Sequence, residues 1–540
     1  HRTGISKMTV LEYVWAGVMA VIAGPAAFEI LGVGVPITVL MVFGGFVIGI
    51  IGGATPGLAG PFLMAVSLPI LLSIFGFTPD ALLPVLGFLV GAMKGATVGG
   101  SVPAILFNTP GTPDAMLTTF DGYPMAQKGQ AGKALRTAHF ASVSGDTFSD
   151  IVLFTCAPFL AIAVEAYLGF GEKAALILLS LAFVAAVVGA SPMKGMIAAF
   201  FGLFVAAIAT GEDSYPRLTF ETDFLSNGVP LITAVLGVLI LGEVLYAFEQ
   251  MWRERSVEEI KEVHQEGDQR LTWAERKRLF PYISVSALIG TGIGALPGIG
   301  STLAATLGYA TGDRMHKGPV EFGDGTPEGV AATEAANSSV SGANLIPVLS
   351  LGIPGNVGAV FLILAAESIG GFNPGPGVFR FTTSEVNPEL VIAFGLFTAM
   401  MLANIMNWII GGRIMAACGI MSRIPKQVLL PIVLLLTLTA IYVQETDFNA
   451  FYFAFAFAIL GYLMRKLKVP TLPFVIAFIL AGNLETSIRQ AFAVSGGDPW
   501  FLFQSPLSVT FLAMSVGVII FFSRPKKPAA NKAIAAERDS

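Results

Sequence analysis

The chain has 540 residues, of which 54% are hydrophobic and 12% charged, where a soluble globular protein carries roughly 25% charged residues. That excludes an ordinary soluble domain and predicts an all-α polytopic membrane protein. A net charge of -5 with no basic stripe argues against a nucleic-acid partner, and two cysteines inside apolar runs give no disulfide framework.

Arg2 and Lys7 precede an apolar run from Met8 to Ile30 that lacks a small-x-small cleavage site, so an uncleaved first helix is expected near 8–31. His1 in place of methionine suggests a trimmed or engineered start. Further runs long enough to cross a bilayer lie near 81–98, 137–163, 173–190, 192–210 and 229–249. A polar segment of alternating charge, Gln250 to Lys277, then marks a cytoplasmic linker helix over 250–280. It separates a first membrane repeat, 1–249, from a second, 281–523, with runs near 328–345, 387–412, 427–444, 448–464, 469–482 and 500–522. About 12 transmembrane helices are expected in all, followed by a polar cytoplasmic tail over 524–540.

Two blocks occur twice. Gly99-Gly100-Ser101-Val102-Pro103 through Asn108-Thr109-Pro110-Gly111 shares its skeleton with Asn344-Leu345-Ile346-Pro347 through Gly352-Ile353-Pro354-Gly355. Upstream, Thr55-Pro56-Gly57 matches Leu296-Pro297-Gly298 at nearly the same separation. Internal duplication explains this better than chance Pro-Gly usage.

Lysine and arginine in short loops set the orientation. Lys128, Lys133 and Arg136, the linker, Arg413 to Lys426, Arg465 to Lys468, and the tail fall on the cytoplasmic side, with both termini. Arg278 and the Arg314–Lys317 loop then share a side with too few residues between them for two crossings, which predicts a re-entrant hairpin over 283–309. Its counterpart covers 36–75, and the Pro-Gly blocks form a second pair over 99–120 and 343–364, entering from opposite faces. The expected architecture is two inverted-topology repeats with tips at Pro110, Pro297 and Pro354.

A helix broken at membrane depth frees backbone groups that protein, substrate or ion must satisfy. Free N–H groups suit carboxylates and free carbonyls suit a small cation. Candidate substrate-binding residues are therefore Ser101, Asn108, Thr109, Gly111 and Thr112 at one tip, and Ser350, Gly355 and Asn356 at the other. The alternative is that they cap and pack hairpins; Thr112-Pro113-Asp114 reads as a helix start. Glu334, Asn337, Ser341 and Asn344 share one helical face running into the second block, either lining a pathway or joining helices. Asn337 joins the substrate set; Thr55, Pro56, Gly57, Gly298, Glu334 and Asn344 form the cation set, with Na+ or H+ as the ion and no cofactor. Lys94 either attracts an anionic substrate or neutralises an acid such as Asp114. His139, Ser142, Ser144, Asp146, Ser149 and Asp150 make a further stripe, read as structural with Asp146 the exception. No phosphate-binding loop, nucleophile with its base, or metal set is present, so neither ATP use nor enzyme chemistry is indicated.

Gly99-Gly100-Ser101 through Thr112-Pro113, Asp121-Gly122-Tyr123-Pro124, Lys128-Gly129-Gln130-Ala131-Gly132-Lys133, Glu334-Ala335-Ala336-Asn337, Leu351-Gly352-Ile353-Pro354-Gly355 and Leu484-Glu485 resemble the large membrane subunit of the tripartite tricarboxylate transporter family. The resemblance spans nearly the whole chain. It departs at Met93-Lys94, where aromatic residues are common, and at Asn337-Ser338, where a second asparagine usually follows. It implies a bacterial inner-membrane carrier importing carboxylates with a cation gradient. A small membrane subunit of about four helices and a periplasmic solute-binding protein would be its partners. A passive anion channel and a non-transporting scaffold subunit are the alternatives.

Overall fold

The computed structural model describes residues 9–30, 33–55, 60–188, 191–208, 211–212, 215–219, 222, 225, 228–253, 269–297, 300–381, 386–418 and 426–523. Pro56, Gly57, Gly298, linker residues 254–268 and the tail over 524–540 lie outside them. The chain forms two compact units, one of His1–Leu168 with Ile208–Leu467, the other of Gly169–Ala207 with Lys468–Ser540.

The larger unit is built on interrupted helices. Ile37–Gly53 and Gly60–Phe75 form a pair whose first arm lies along Leu82–Gly99. Glycines set that approach: Gly45, Gly49 and Gly53 rest on the backbone of Phe88, Ala92 and Ala96, while Gly91, Gly95 and Gly99 rest on Val42, Phe46 and Ile50. A methyl group at any of these would meet backbone, so both helices need bare backbone at a four-residue spacing. Trp273–Gly294 and Ser301–Met315 make the corresponding pair against Pro327–Ala343, with Gly290 on Ala336 and Gly294 on Val340. The first arms end alike, at Ala54 with φ -71 and ψ -9 and at Ala295 with φ -69 and ψ -12. Leu82–Gly99 also packs on Pro388–Met406, and Pro327–Ala343 on Ala131–Tyr167. Phe46, Ile50, Val98, Val102, Met125 and Val330 form a dry core between these elements.

Several elements differ from expectation. Among the described residues the first apolar run is helical over Val10–Ile22; Gly24-Pro25 stops it, and Ala26–Ile30 pairs with Val33–Pro36 as an antiparallel ribbon. The span near 137–163 belongs to one 37-residue helix, Ala131–Tyr167, with Pro158 inside it. The linker does not run to its expected end as a separate element, because Thr272 caps the helix that begins at Trp273. Seven helices among the described residues are long and apolar enough to cross a membrane, and six shorter apolar helices accompany them. Pro327–Ala343 is too polar to qualify, yet every residue from Glu328 to Ala343 is buried.

In the smaller unit, Phe170–Val187, Pro192–Ala206, Thr471–Val494 and Pro506–Ser523 pack together. Gly195 sits on Ala185 and Gly202 on Phe474, again letting helix backbones touch.

Candidate functional site

The duplicated Pro-Gly blocks fold into the same local shape. Each opens with a residue at φ -59 and ψ -24, Gly100 in one and Asn344 in the other. Each continues as a seven-residue helix, Ser101–Phe107 or Leu345–Leu351, and ends on a left-handed residue, Asn108 at φ 53 or Gly352 at φ 73. The chain then folds back, with the Thr109 N–H donating to the Pro103 carbonyl and the Ile353 N–H to the Pro347 carbonyl, both at 3.2 Å. Proline forces the break because it lacks a donor, and left-handed closure favours glycine or asparagine.

Each block leans on the other half's hairpin. After the first, Asp114 accepts a hydrogen bond of 2.7 Å from Thr302 of Ser301–Met315. After the second, Gly358 lies against Met64 of Gly60–Phe75 and Met93 of Leu82–Gly99. Within the first half, the Gly111 N–H donates to the Gly100 carbonyl at 3.3 Å, and Gly111 lies on the Gly53 carbonyl at the hairpin tip. A cavity of about 450 Å³ opens beside Asn108 and Pro110, lined also by Met116, Thr119, Phe120, Tyr123 and Pro124.

The polar face of Pro327–Ala343 divides into filled and unfilled positions. Glu334 accepts from Thr118 Oγ1 at 2.5 Å and from Ser142 Oγ at 2.9 Å. Ser341 donates to Asp146. Asn337 and Asn344 are 2% and 1% exposed, and neither side chain has any protein partner for its oxygen or its nitrogen. Two spare amides in a dry interior are unusual, since an unpaired buried polar group costs about 1–3 kcal/mol. Asn344 Oδ1 lies beside Gly355 of the second block.

A second cluster centres on Lys94. Its ammonium, 1% exposed as a residue, donates to Asp146 Oδ1 at 2.7 Å and to Asp150 Oδ2 at 2.8 Å. Asn404 Nδ2 donates to the same Asp150 oxygen at 2.7 Å. Asp121 forms a third fixed point. Buried at the start of the long helical stretch, it accepts from the N–H groups of Gly323, Gly325 and Thr326 and from Tyr309 Oη at 2.7 to 3.0 Å. One carboxylate thereby ties the first half to the turn that starts Pro327–Ala343.

Residues 39–476 match the profile of the Tripartite tricarboxylate transporter TctA family. The chain belongs to this family. It is therefore a multi-pass membrane protein of a transport family. It is also similar to the uncharacterized 52.8 kDa protein in the TAR-I ttuC' 3' region of Agrobacterium vitis, 29% identical over 93% of this chain and 97% of that one. An uncharacterized protein in the TAR-II ttuC' 3' region of the same organism is 28% identical over 44% of this chain and 94% of its own length. No solved structure matches.

In this TctA-family chain the sequence-predicted residues fall into distinct settings. Ser350 Oγ donates to the Ile346 carbonyl of its own helix, and Ser101 Oγ to the Val98 carbonyl in the last turn of Leu82–Gly99. Thr55 does the same to Ile51, and Thr109 donates to Phe107. Asn356 caps the helix Val357–Ile369 by accepting from the Ala359 N–H at 2.8 Å. Thr112 is buried against Gly100, and Asp114 stands on a single tight turn, Pro113–Ala115, rather than opening a helix directly. Pro110 and Pro297 are half-buried and Pro354 is buried. Lys94 meets Asp146 and Asp150, not Asp114. Asp150, grouped with structural residues from sequence, is as engaged as Asp146, and Asn404 and Thr118 attracted no notice. The signal for Asp150 was its four-residue spacing from Asp146 inside an apolar helix. Asn404 likewise interrupts an apolar run.

Proposed function

We propose that this chain is the large subunit of a binding-protein-dependent carrier that imports di- or tricarboxylates across the bacterial inner membrane, driven by an inward cation. A small membrane subunit of about four helices and a periplasmic solute-binding protein complete the system. The substrate sits between the Pro-Gly tips, with Asn337 and Asn344 donating to its carboxylates. The two halves are inverted repeats, the Pro110 tip reaching in from the cytoplasm and the Pro354 tip from the periplasm, and the interrupted helices move as a body during alternating access. One elementary charge moving down the membrane potential supplies about 2.3 kcal/mol per 100 mV, enough for one or two cations to offset an anion's charge and still concentrate it.

The observation that carries this reading is the pair of fully buried, unpartnered amides on one helical face beside a broken helix. A protein that used them only for packing would have gained stability by losing them. Lys94, with its charge already matched by two aspartates, is not needed to hold the anion. Thermal stabilisation of the purified chain by a panel of carboxylates, citrate among them, tests the site. Asn337→Ala and Asn344→Ala are each expected to weaken the stabilising acid at least ~10-fold, the loss of one charge-assisted hydrogen bond. Unchanged affinity in both variants would remove the site from this face.

A further inference from the structure

The Lys94 cluster contains an imbalance that carboxylate binding does not require. Lys94 contributes one positive charge and Asp146 and Asp150 two negative ones, all at 3% exposure or less. The surrounding elements do not cancel the surplus. Ile37–Gly53, Gly60–Phe75 and Leu345–Leu351 hold no ionisable residue, and Pro388–Met406 has only Glu389 in its first turn. Val357–Ile369 carries only Glu367, and Thr118–Met125 only Asp121 and Tyr123 as ionisable groups. Pro327–Ala343 offers Glu334, held by two hydroxyls, and Glu328, paired with Arg278 at 2.7 Å. On the long helix itself, Lys133 pairs with Glu275, Glu165 with Arg380, and His139 lies against Asn407; Arg136 sits near the helix start and Arg276 over Phe140. One negative charge is left over in a region closed to water, and an uncompensated buried charge is expensive.

The two aspartates are not equivalent. Asp146 accepts from Lys94 and Ser341, both through Oδ1. Asp150 likewise accepts from Lys94 and Asn404 through one oxygen, Oδ2, and what sets it apart is that its other oxygen, Oδ1, is fully buried with no donor. The Oδ1 of Asn404, the residue that donates into this site, is also buried and unpartnered. A proton on Asp150 Oδ1 would cancel the surplus charge and turn that idle acceptor into a donor. A metal ion would instead need a shell of oxygen ligands, and the Lys94 ammonium would repel it.

Resting on the carrier reading above, we infer that Asp150 is the residue that binds and releases the coupling ion, and that this ion is a proton rather than sodium. The groups involved come from Leu82–Gly99, Ala131–Tyr167, Pro327–Ala343 and Pro388–Met406, so the proton's arrival changes contacts among helices of both halves. Neutralising Asp150 removes one of the two carboxylates that hold Lys94.

Infrared titration of the purified full-length chain reads the proton without any substrate. Acidification is expected to raise the carbonyl stretch of a buried protonated carboxylic acid. The band should vanish in Asp150→Asn, survive in Glu334→Gln, and persist at a shifted frequency in Asp150→Glu, which keeps the acid should the amide variant fold poorly. A wild-type chain with no such band, or a band that survives in Asp150→Asn, overturns the assignment. Reconstitution with both partner subunits in sealed vesicles then reads coupling, with citrate as probe. Accumulation should rise about tenfold per pH unit of inward gradient for one coupled proton, with acidification of the lumen. Accumulation that follows a sodium gradient without acidification overturns the proton and leaves the carrier standing. No uptake under either gradient, with the band intact, sinks the carrier reading and the coupling role with it while leaving Asp150 a proton site.

Discussion

Around Pro110 the chain turns on Asn108, its short helix begins at Gly100, and Lys94 stands six residues before that. Around Pro354 it turns on Gly352, and the matching positions hold Asn344 and Ser338. The backbones agree to within a few degrees at the opening residue, yet one block is preceded by a buried charge with two counter-charges and the other by buried groups with no partner. Proline and glycine impose the shape, which leaves the neighbouring side chains free to diverge. Divergence has put ionic chemistry in the first half and spare hydrogen-bonding capacity in the second.

The sharpest way to break that comparison is to neutralise the matched positions in turn. Lys94→Met leaves Asp146 and Asp150 facing each other without a cation and is expected to cost about 3–5 kcal/mol. Thermal unfolding in detergent should register this as a large loss, much of it recovered in the double variant Lys94→Met/Asp150→Asn, which removes one charge of each sign. Ser338→Ala deletes a hydroxyl that has no partner and should be neutral or slightly stabilising. If both single changes cost the same, the halves are not specialised as described.

The turn residues sharpen the comparison at the level of the backbone. Gly352→Ala places a methyl on a left-handed residue about 2.9 Å from the Pro374 carbonyl oxygen, so strain and crowding add; about 1–2 kcal/mol is expected from the conformation alone. Asn108→Gly keeps the same turn with a residue that tolerates it better, and stability should change by less than ~1 kcal/mol. Equal losses in the two variants, measured by the same unfolding assay, would mean the asparagine side chain rather than the turn is what matters at position 108.

Much of this organisation can be read from sequence because its causes are local. Membrane class follows from composition, the breaks follow from Pro-Gly, and the polar face of Pro327–Ala343 follows from helical spacing of Glu334, Asn337, Ser341 and Asn344. The ribbon after Ile22 was missed because hydropathy counts Ala26 to Pro36 as apolar and is blind to how Pro25 redirects the chain. The partners of Lys94 were missed for a different reason. Asp146 and Asp150 lie on another helix, and only the packing of Leu82–Gly99 with Ala131–Tyr167 brings them within 2.8 Å. Spacing shows that two acids share a face; it does not say which lysine that face meets. Likewise, nothing local distinguishes Glu334, which is held by Thr118 and Ser142, from Asn337, which is held by nothing.

The smallest expected effect concerns a lysine–carboxylate pair in a wetter place than the Lys94 cluster. Lys133, at the start of the long helix, pairs with Glu275, each side chain 21% exposed, on the charged first turn ahead of the apolar part of Trp273–Gly294. Glu275 also closes a capping box, accepting from the Thr272 N–H and hydroxyl at 2.8 Å. Partial burial alone would raise its pKa, but the hydrogen bonds from Lys133 and Thr272 and the lysine's charge outweigh it and hold the carboxyl at about 2. A folded pKa below the unfolded value of about 4.3 means the stabilisation is complete above that value and lost as pH falls through about 2. Solvent screening limits it to on the order of 1 kcal/mol. Glu275→Gln should therefore lower stability slightly at neutral pH and flatten the acid limb of the stability profile, while added salt weakens the wild-type advantage. Salt should leave the cost of Lys94→Met unchanged, because no solvent reaches that cluster; a salt-sensitive Lys94 would place it in water and end the contrast between the two pairs.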